Sequence, residues 1–498
     1  MRERPPRYFV AACLFAAAIY GAYLYRHTCF AVGGSDSSGY ANAARAIARG
    51  RLVEPIAALA RYGLPDSDAP AFVPLGYLRG PRPGTMSLLY PPGFPLHLAL
   101  AGTIFGWSAA PYLVSPIAAL LSLAAVYAVG RRLGFSAPQA AGASAILAAC
   151  PVFIFQAIQP MSDVVATLWC AAAVLCALRS REDVRWSLAA GFCFGVAVLI
   201  RPLDVLLAVP LACAMPLDRR RVGAFLAGGV PAGLGMAVYD SLSYGSPLST
   251  GYGLTGHWEA LAWSNFPPRA WNYLRWTAQV LTPVVGLGWI WAVLDRRLAS
   301  WTRALLFTWI AVFFLFYCFY APADAWWYTR FLLPGVPALP IGFLIALRRL
   351  GARVAAWRPT WRAPSGIVGA LAVLAVVALG FRATRRLGVL AMPAGQAAFP
   401  VGCRIAERLV PPGSVVLSSD FSGALRYYTA LTPVRWDVLD PAGAAALRSK
   451  TAAAGEPWYA LLADYEVSDA AARVPGRWKV EARIGTNALW RIDPPGAR

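Results

Sequence analysis

The chain has 498 residues, 58% of them hydrophobic and only 14% charged, with a mean hydropathy of +0.52. That is too apolar for a soluble protein of this size, so the composition describes a multi-spanning membrane protein. The net charge of +21 would suggest nucleic acid in a soluble chain. Here the basic residues stand in short clusters between apolar runs, as the positive-inside rule expects, and nucleic acid is excluded as a partner.

Nine cysteines and three histidines offer little to a metal. Seven of the cysteines lie inside apolar runs, where the thiol behaves as a small hydrophobe, and only Cys29 and Cys403 fall outside them. His27, His97 and His257 are isolated and lack zinc spacing. Lys450 and Lys479 are the only lysines; arginine carries nearly all the positive charge.

Residues 1–7 are basic and 8–25 apolar, which reads as an uncleaved first span with its N-terminus in the cytoplasm. Residues 27–92 form a long first outer loop with helix candidates near 40–50 and 55–62. Further apolar runs follow at 109–130, 138–157, 163–179, 186–200, 203–216, 222–240, 273–294, 301–320, 330–347 and 364–381. Several are shorter than the roughly 20 residues a straight span needs. After residue 382 the composition changes: a helix candidate at 398–409 and β-like runs at 414–417, 458–462, 478–484 and 488–492 predict a small α/β domain over 383–498.

Arginine clusters fix the expected topology. Arg131-Arg132, Arg179 to Arg185, Arg219 to Arg221, Arg296-Arg297 with Arg303, and Arg348-Arg349 with Arg353 fall at every second loop. All are cytoplasmic together only if 93–107 is interfacial or re-entrant, which gives about eleven transmembrane helices and a C-terminal domain outside. The loops then gathered on the outer face carry Asp36, Asp163, Arg201 with Asp204, residues 241–272, and Ala323 to Arg330. Ionisable groups at a bilayer boundary are costly unless paired or wet, so Asp36, Asp163, Arg201, Asp204, Asp324 and Arg330 are functional candidates. Each also has a plainer role available. Asp36 or Ser38 can cap the helix that follows, Ser162-Asp163 can cap another, and the arginines can reach lipid headgroups. The aromatic residues near the outer loops, Trp258, Trp263, Trp271, Trp276, Trp326 and Trp327 among them, suit an interfacial belt. The pair Trp326-Trp327 beside Tyr328 and Arg330 also suits a sugar or an isoprenoid chain. Tyr90-Pro91-Pro92 breaks helical structure and forms either a rigid lip at the membrane surface or a simple turn.

Five motifs occur in a recognisable order. Gly34-x-Asp36-x-x-x-Tyr40, Tyr90-Pro91-Pro92-Gly93-Phe94-Pro95-Leu96, Met161-Ser162-Asp163, Arg201-Pro202 and Tyr328-Thr329-Arg330-Phe331-Leu332-Leu333-Pro334 together resemble the large bacterial GT-C glycosyltransferases. The likeness is to the branch of protein O-mannosyltransferases and lipid A aminoarabinose transferases, and covers about residues 8–350. It implies an α-helical polytopic fold and transfer of a sugar from a polyprenyl-phosphate donor to an acceptor hydroxyl of a lipid, glycan or protein, at the outer face of a bacterial inner membrane. It implies Asp36 as general base, with Tyr40, Tyr90, Trp326, Trp327 and Tyr328 near the carrier or sugar. An arginine is a fixed fork for the lipid phosphate, and Arg330 and then Arg201 are the candidates. Ser37 stands where the O-mannosyltransferases have a second acidic residue. The chemistry reads as metal-independent, with no cofactor; the alternative is a divalent cation (Mg or Mn) shared by Asp36 and Asp163, as in the oligosaccharyltransferase branch. A transporter or flippase for a lipid-linked envelope component is the rival reading, but no internal repeat is visible and the charges lie at span ends.

Overall fold

The computed structural model describes residues 5–321, 324–358, 360, 362–453 and 455–494; Ala323, in the fifth outer loop, lies outside them. The chain divides into two compact units, one of Met1–Thr28, Tyr112–Gly235 and Gly256–Ala391, the other of Cys29–Pro111, Met236–Thr255 and Met392–Arg498.

The first unit is helical. Among the described residues five helices are long and apolar enough to cross a membrane: Arg7–Arg26, Ala110–Arg132, Arg219–Tyr244, Ser300–Phe319 and Gly366–Arg386. The runs at 138–157 and 273–294, expected as continuous spans, are broken. Ala137–Ala148 and Pro151–Ala157 meet at 71°, and Trp263–Leu281 and Pro283–Leu294 at 108°, which brings the count of spans to seven if each pair is one. Pro151 and Pro283 each open the second helix of their pair, where the missing N–H costs nothing and the preceding residue is driven out of helical geometry. Three of the remaining runs form shorter helices, Asp163–Arg179, Arg185–Ile200 and Ala208–Ala214, the last two joined by a 3-10 turn at Pro202–Leu207, and the run at 330–347 enters helix Ala338–Trp357. Helices Arg185–Ile200 and Arg219–Tyr244 cross at glycine: a Cβ on Gly191 would stand 1.8 Å from the Phe225 carbonyl oxygen, and one on Gly228 2.0 Å from that of Leu188. Small residues at such a crossing let backbones approach where lipid gives no hydrophobic drive.

The arginine clusters converge. Arg132 pairs with Glu182 at 2.5 Å, Arg221 donates to the Ser180 carbonyl at 2.7 Å, and Arg181 to that of Ala214 at 3.1 Å. Arg348 donates to the Gly134 carbonyl at 2.7 Å and Arg349 to that of Arg297 at 3.3 Å. All five clusters are thus linked at one end of this unit.

In the second unit the first loop folds as helices Gly34–Ala48 and Ala57–Tyr62 and a three-stranded antiparallel sheet, order β1-β3-β2, from β1 (Val53–Pro55), β2 (Tyr77–Arg79) and β3 (Thr85–Leu88). Helix Gly93–Phe105 follows; its 13 residues are too few to cross, in line with the interfacial reading of that run. The C-terminal stretch builds a five-stranded mixed sheet, order β5-β4-β6-β8-β7, from β4 (Val415–Leu417), β5 (Thr432–Val434), β6 (Trp458–Ala463), β7 (Arg477–Ile484) and β8 (Asn487–Asp493). Strand alternation sorts its side chains between two cores. Val416, Tyr459 and Leu461 face a cluster with Phe421 and Cys403. Val415, Leu417, Trp458 and Leu462 enter a second cluster with Ile56, Leu59, Phe72, Tyr77 and Met86 of the first loop. Two segments more than three hundred residues apart therefore share one hydrophobic core.

Polar contacts reinforce it. The Arg435 amide donates to the Ala71 carbonyl at 2.6 Å, the Leu75 amide to Ser422 Oγ at 3.0 Å, and the Tyr62 hydroxyl to Glu456 Oε2 at 2.6 Å. Arg61 pairs with Glu456 and Arg426 with Glu54.

Candidate active site

Asp36 lies inside helix Gly34–Ala48, in its first turn; the N-cap is Gly33. The helix thus starts earlier than the sequence suggests, and Asp36 and Ser38 do not cap it. The Ser38 hydroxyl turns back to the Gly34 carbonyl, which satisfies the polar run within the helix. Asp36 is half-buried, and its Oδ1 accepts a 2.8 Å hydrogen bond from the Tyr90 hydroxyl, which also meets Ser35 Oγ at 2.9 Å. Burial, with Asp36 and Tyr40 alongside, pushes the Tyr90 hydroxyl well above its ordinary pKa, so it is a proton donor at neutral pH. Tyr90 is itself fixed: its ring lies 4.5 Å from that of Tyr40, which meets Phe94 edge-on at 5.0 Å, and its carbonyl accepts from the Tyr239 hydroxyl at 2.8 Å. Gly39 makes the contact possible, since a Cβ there would stand 2.2 Å from the Tyr90 ring.

The C-terminal domain grips the same helix. Asn42 Nδ2 donates to the Gly423 carbonyl at 2.9 Å, and Arg45 donates to that of Tyr427 at 2.6 Å while lying 3.6 Å over its ring.

The first unit holds a second cluster. Asp163 opens helix Asp163–Arg179, and Arg201 stands in extended conformation where helix Arg185–Ile200 gives way to the Pro202–Leu207 turn. The two side chains form an ion pair with 3% and 13% of their surfaces exposed. Arg201 also donates to the Tyr317 hydroxyl at 3.3 Å and lies 5.6 Å from the Phe331 ring. Phe331 stacks on Tyr317 at 4.7 Å and on Tyr328 at 6.0 Å, and the Arg330 guanidinium sits 5.2 Å from the same ring. Asp204 is buried in the turn after Arg201, and its Oδ2 meets no hydrogen-bond partner among the described residues. Helix Asp163–Arg179 places Asp163 about 25 Å along its axis from the arginine end. Asp163, Arg201 and Tyr317 therefore occupy the end of this unit opposite the arginine clusters.

The other aromatic candidates separate. Trp326 is buried, with its ring 5.1 Å from Phe155, whereas Trp327 is 44% exposed. Asp324 lies outside the Arg201 cluster, accepting from Trp276 Nε1 at 2.7 Å and Arg275 at 2.8 Å, contacts that hold its carboxyl below the usual range. Trp263 and Trp271 are largely exposed, as an interfacial belt requires.

The whole-chain fold has solved counterparts. It is similar to ArnT from Cupriavidus metallidurans bound to undecaprenyl phosphate, with a TM-score of 0.62 at 15% identity, covering 98% of each chain. The chain has the fold of that membrane protein. The same architecture is shared with the oligosaccharyltransferase AglB from Archaeoglobus fulgidus in complex with an inhibitory peptide and a dolichol-phosphate (TM-score 0.56, 12% identity, 97% of this chain and 74% of that one). It is shared too with the arabinofuranosyltransferase AftD from Mycobacteria (TM-score 0.57, 11% identity, 99% of this chain and 40% of that one). Residues 90–238 match the family of dolichyl-phosphate-mannose-protein mannosyltransferases. No curated protein sequence matches the chain.

A divalent cation at Asp163 would have to displace the Arg201 guanidinium. Among the described residues no three His, Cys, Asp or Glu side chains converge on a common point. The described residues do not form an oxygen cage for a hard cation.

Sequence reading missed Tyr317 and quoted Phe331 only within its motif, without a role; the two organise the Arg201 cluster. Both are aromatic residues within or beside apolar runs, where nothing in the local pattern marks a polar duty.

Proposed function

We propose that the protein is an inverting glycosyltransferase that moves a sugar from a polyprenyl-phosphate carrier to an acceptor hydroxyl outside the cytoplasm of a bacterial cell, with Asp36 as general base. The acceptor oxygen attacks the anomeric carbon as its proton passes to the Asp36 carboxylate. The bond from that carbon to the phosphate oxygen breaks on the opposite face, and the polyprenyl phosphate departs with the electron pair. The observation that carries this reading is the Tyr90–Asp36 contact on a helix fixed by both ends of the chain. A half-buried carboxylate aimed by a protonated phenol is suited to taking a proton from a bound hydroxyl.

The departing phosphate needs a fixed positive charge. We assign Arg330, and after it Arg201, to the phosphate, with Trp327 and Tyr328 beside the carrier. No step runs through a metal. The linked arginine clusters support a cytoplasmic placement of that end, and hence an extracytoplasmic placement of Asp163 and Arg201.

The test is transfer from a panel of radiolabelled polyprenyl-phosphate sugars to an endogenous acceptor, in membranes with and without the protein. Protein-dependent product whose anomeric configuration is opposite to the donor's is expected. Retained configuration would overturn the single displacement, and absence of transfer from every donor would overturn the enzymatic reading.

A further inference from the structure

The C-terminal domain carries a cleft of about 380 Å³ that the reaction above does not use. Phe399, Asp420, Asp464, Tyr465, Thr486 and Asn487 line it. Phe399 is set rigidly, its ring 4.6 Å from that of the buried Phe421. The Tyr465 hydroxyl donates to Asp420, which holds a 70% exposed ring in a defined place on the rim. Thr486 and Asn487 come from the β7–β8 hairpin, whose Thr486 carbonyl accepts from the Asp464 amide at 2.9 Å.

The chemistry of this lining is selective. Carboxylates and an amide oxygen accept hydrogen bonds, so they suit a ligand rich in O–H donors. Aromatic faces carry negative charge density and suit the C–H face of a sugar ring. Asp464 is paired with Arg483 at 2.8 Å, so Asp420 is the lining carboxylate that repels a phosphate, and an acyl chain would leave the polar wall without partners. The volume lies at the lower end of the range for small-molecule sites, enough for about one or two sugar rings. The cleft also adjoins the Asp36 helix: the Phe399 ring lies against Gly33, where a Cβ would stand 2.1 Å away.

We propose that this cleft binds a neutral saccharide unit. That the bound glycan belongs to the acceptor rests on the transferase reading; the binding itself does not.

The test is saturation-transfer NMR on the full chain in lipid nanodiscs, with methyl α-mannoside, methyl β-glucoside and chitobiose as probes. Saturation of sugar ring protons is expected in the wild type and in Asp36→Asn alike, unaffected by inorganic phosphate. Tyr465→Ala removes an exposed ring outside the core and is expected to weaken binding about three- to tenfold. Asp420→Asn is expected to weaken it as well, while Tyr465→Phe keeps most of the signal. No saturation with any probe, or equal signals in wild type, Tyr465→Ala and Asp420→Asn, would overturn the site. Loss of transfer with binding intact would instead count against the transferase reading alone.

Discussion

Tyr90 and Asp36 stand 54 residues apart in the sequence and meet through one hydrogen bond. If that bond aims the base, Tyr90→Phe should lower the turnover number by about tenfold, the worth of one hydrogen bond to a charged group, with KM little changed. The raised hydroxyl pKa keeps Tyr90 protonated across the neutral range, so the deficit should be the same from mildly acidic to mildly alkaline pH; steady-state kinetics at several pH values check both points. The buried Asp163–Arg201 pair gives a second expectation at this scale. Removing one partner strands a charge, so Arg201→Leu should destabilise by about 3–5 kcal/mol, whereas Arg201→Leu with Asp163→Leu should recover much of the loss. Thermal unfolding in detergent across the double-mutant cycle measures it. Asp36, Asp163 and Arg201 were legible because a charge at the end of an apolar run has to be explained. Their partners Tyr90, Tyr317 and Phe331 were not identified as such, because an aromatic residue there is ordinary.

The broken helices are the principal departure at the level of elements. Hydropathy sees 273–294 as one run, since a bend changes no side chain's polarity. Thr282, at the break, has φ 67°, where a β-branched residue is strained by about 1–3 kcal/mol. Thr282→Gly should therefore raise thermal stability, with the bend and the activity retained; inactivation half-lives and transfer rates test this together. Soluble elements were read with mixed success for an equally physical reason. Helix Ala398–Leu409 has a clear apolar stripe and fell where expected, while the short helix Ser422–Tyr428 and the three- and four-residue strands β1 to β3 are too brief to show a period.

For the molecule as a whole, the shared core of the first loop and the C-terminal domain carries a topological consequence. Segments that pack into one core lie on one side of the membrane, so an even number of crossings must separate them. Sequence could place both outside by counting arginines but could not show that they are one body, because the contacts join residues hundreds apart. Deleting residues 392–498 should leave the first loop open to proteolysis and abolish transfer, since Ile56, Phe72 and Met86 lose their apolar cover and Asn42 and Arg45 lose their partners. Limited proteolysis of the truncated protein in membranes reads this out.

The measurement that bears most directly on the account is the transfer rate of the purified protein in nanodiscs, compared between wild type and Asp36→Asn, with binding of the lipid-phosphate donor followed alongside. The account predicts a loss of about 10²- to 10⁴-fold in rate with donor binding intact, as removal of a general base requires. Equal rates in the two proteins would remove Asp36 from the chemistry and with it the proposed mechanism.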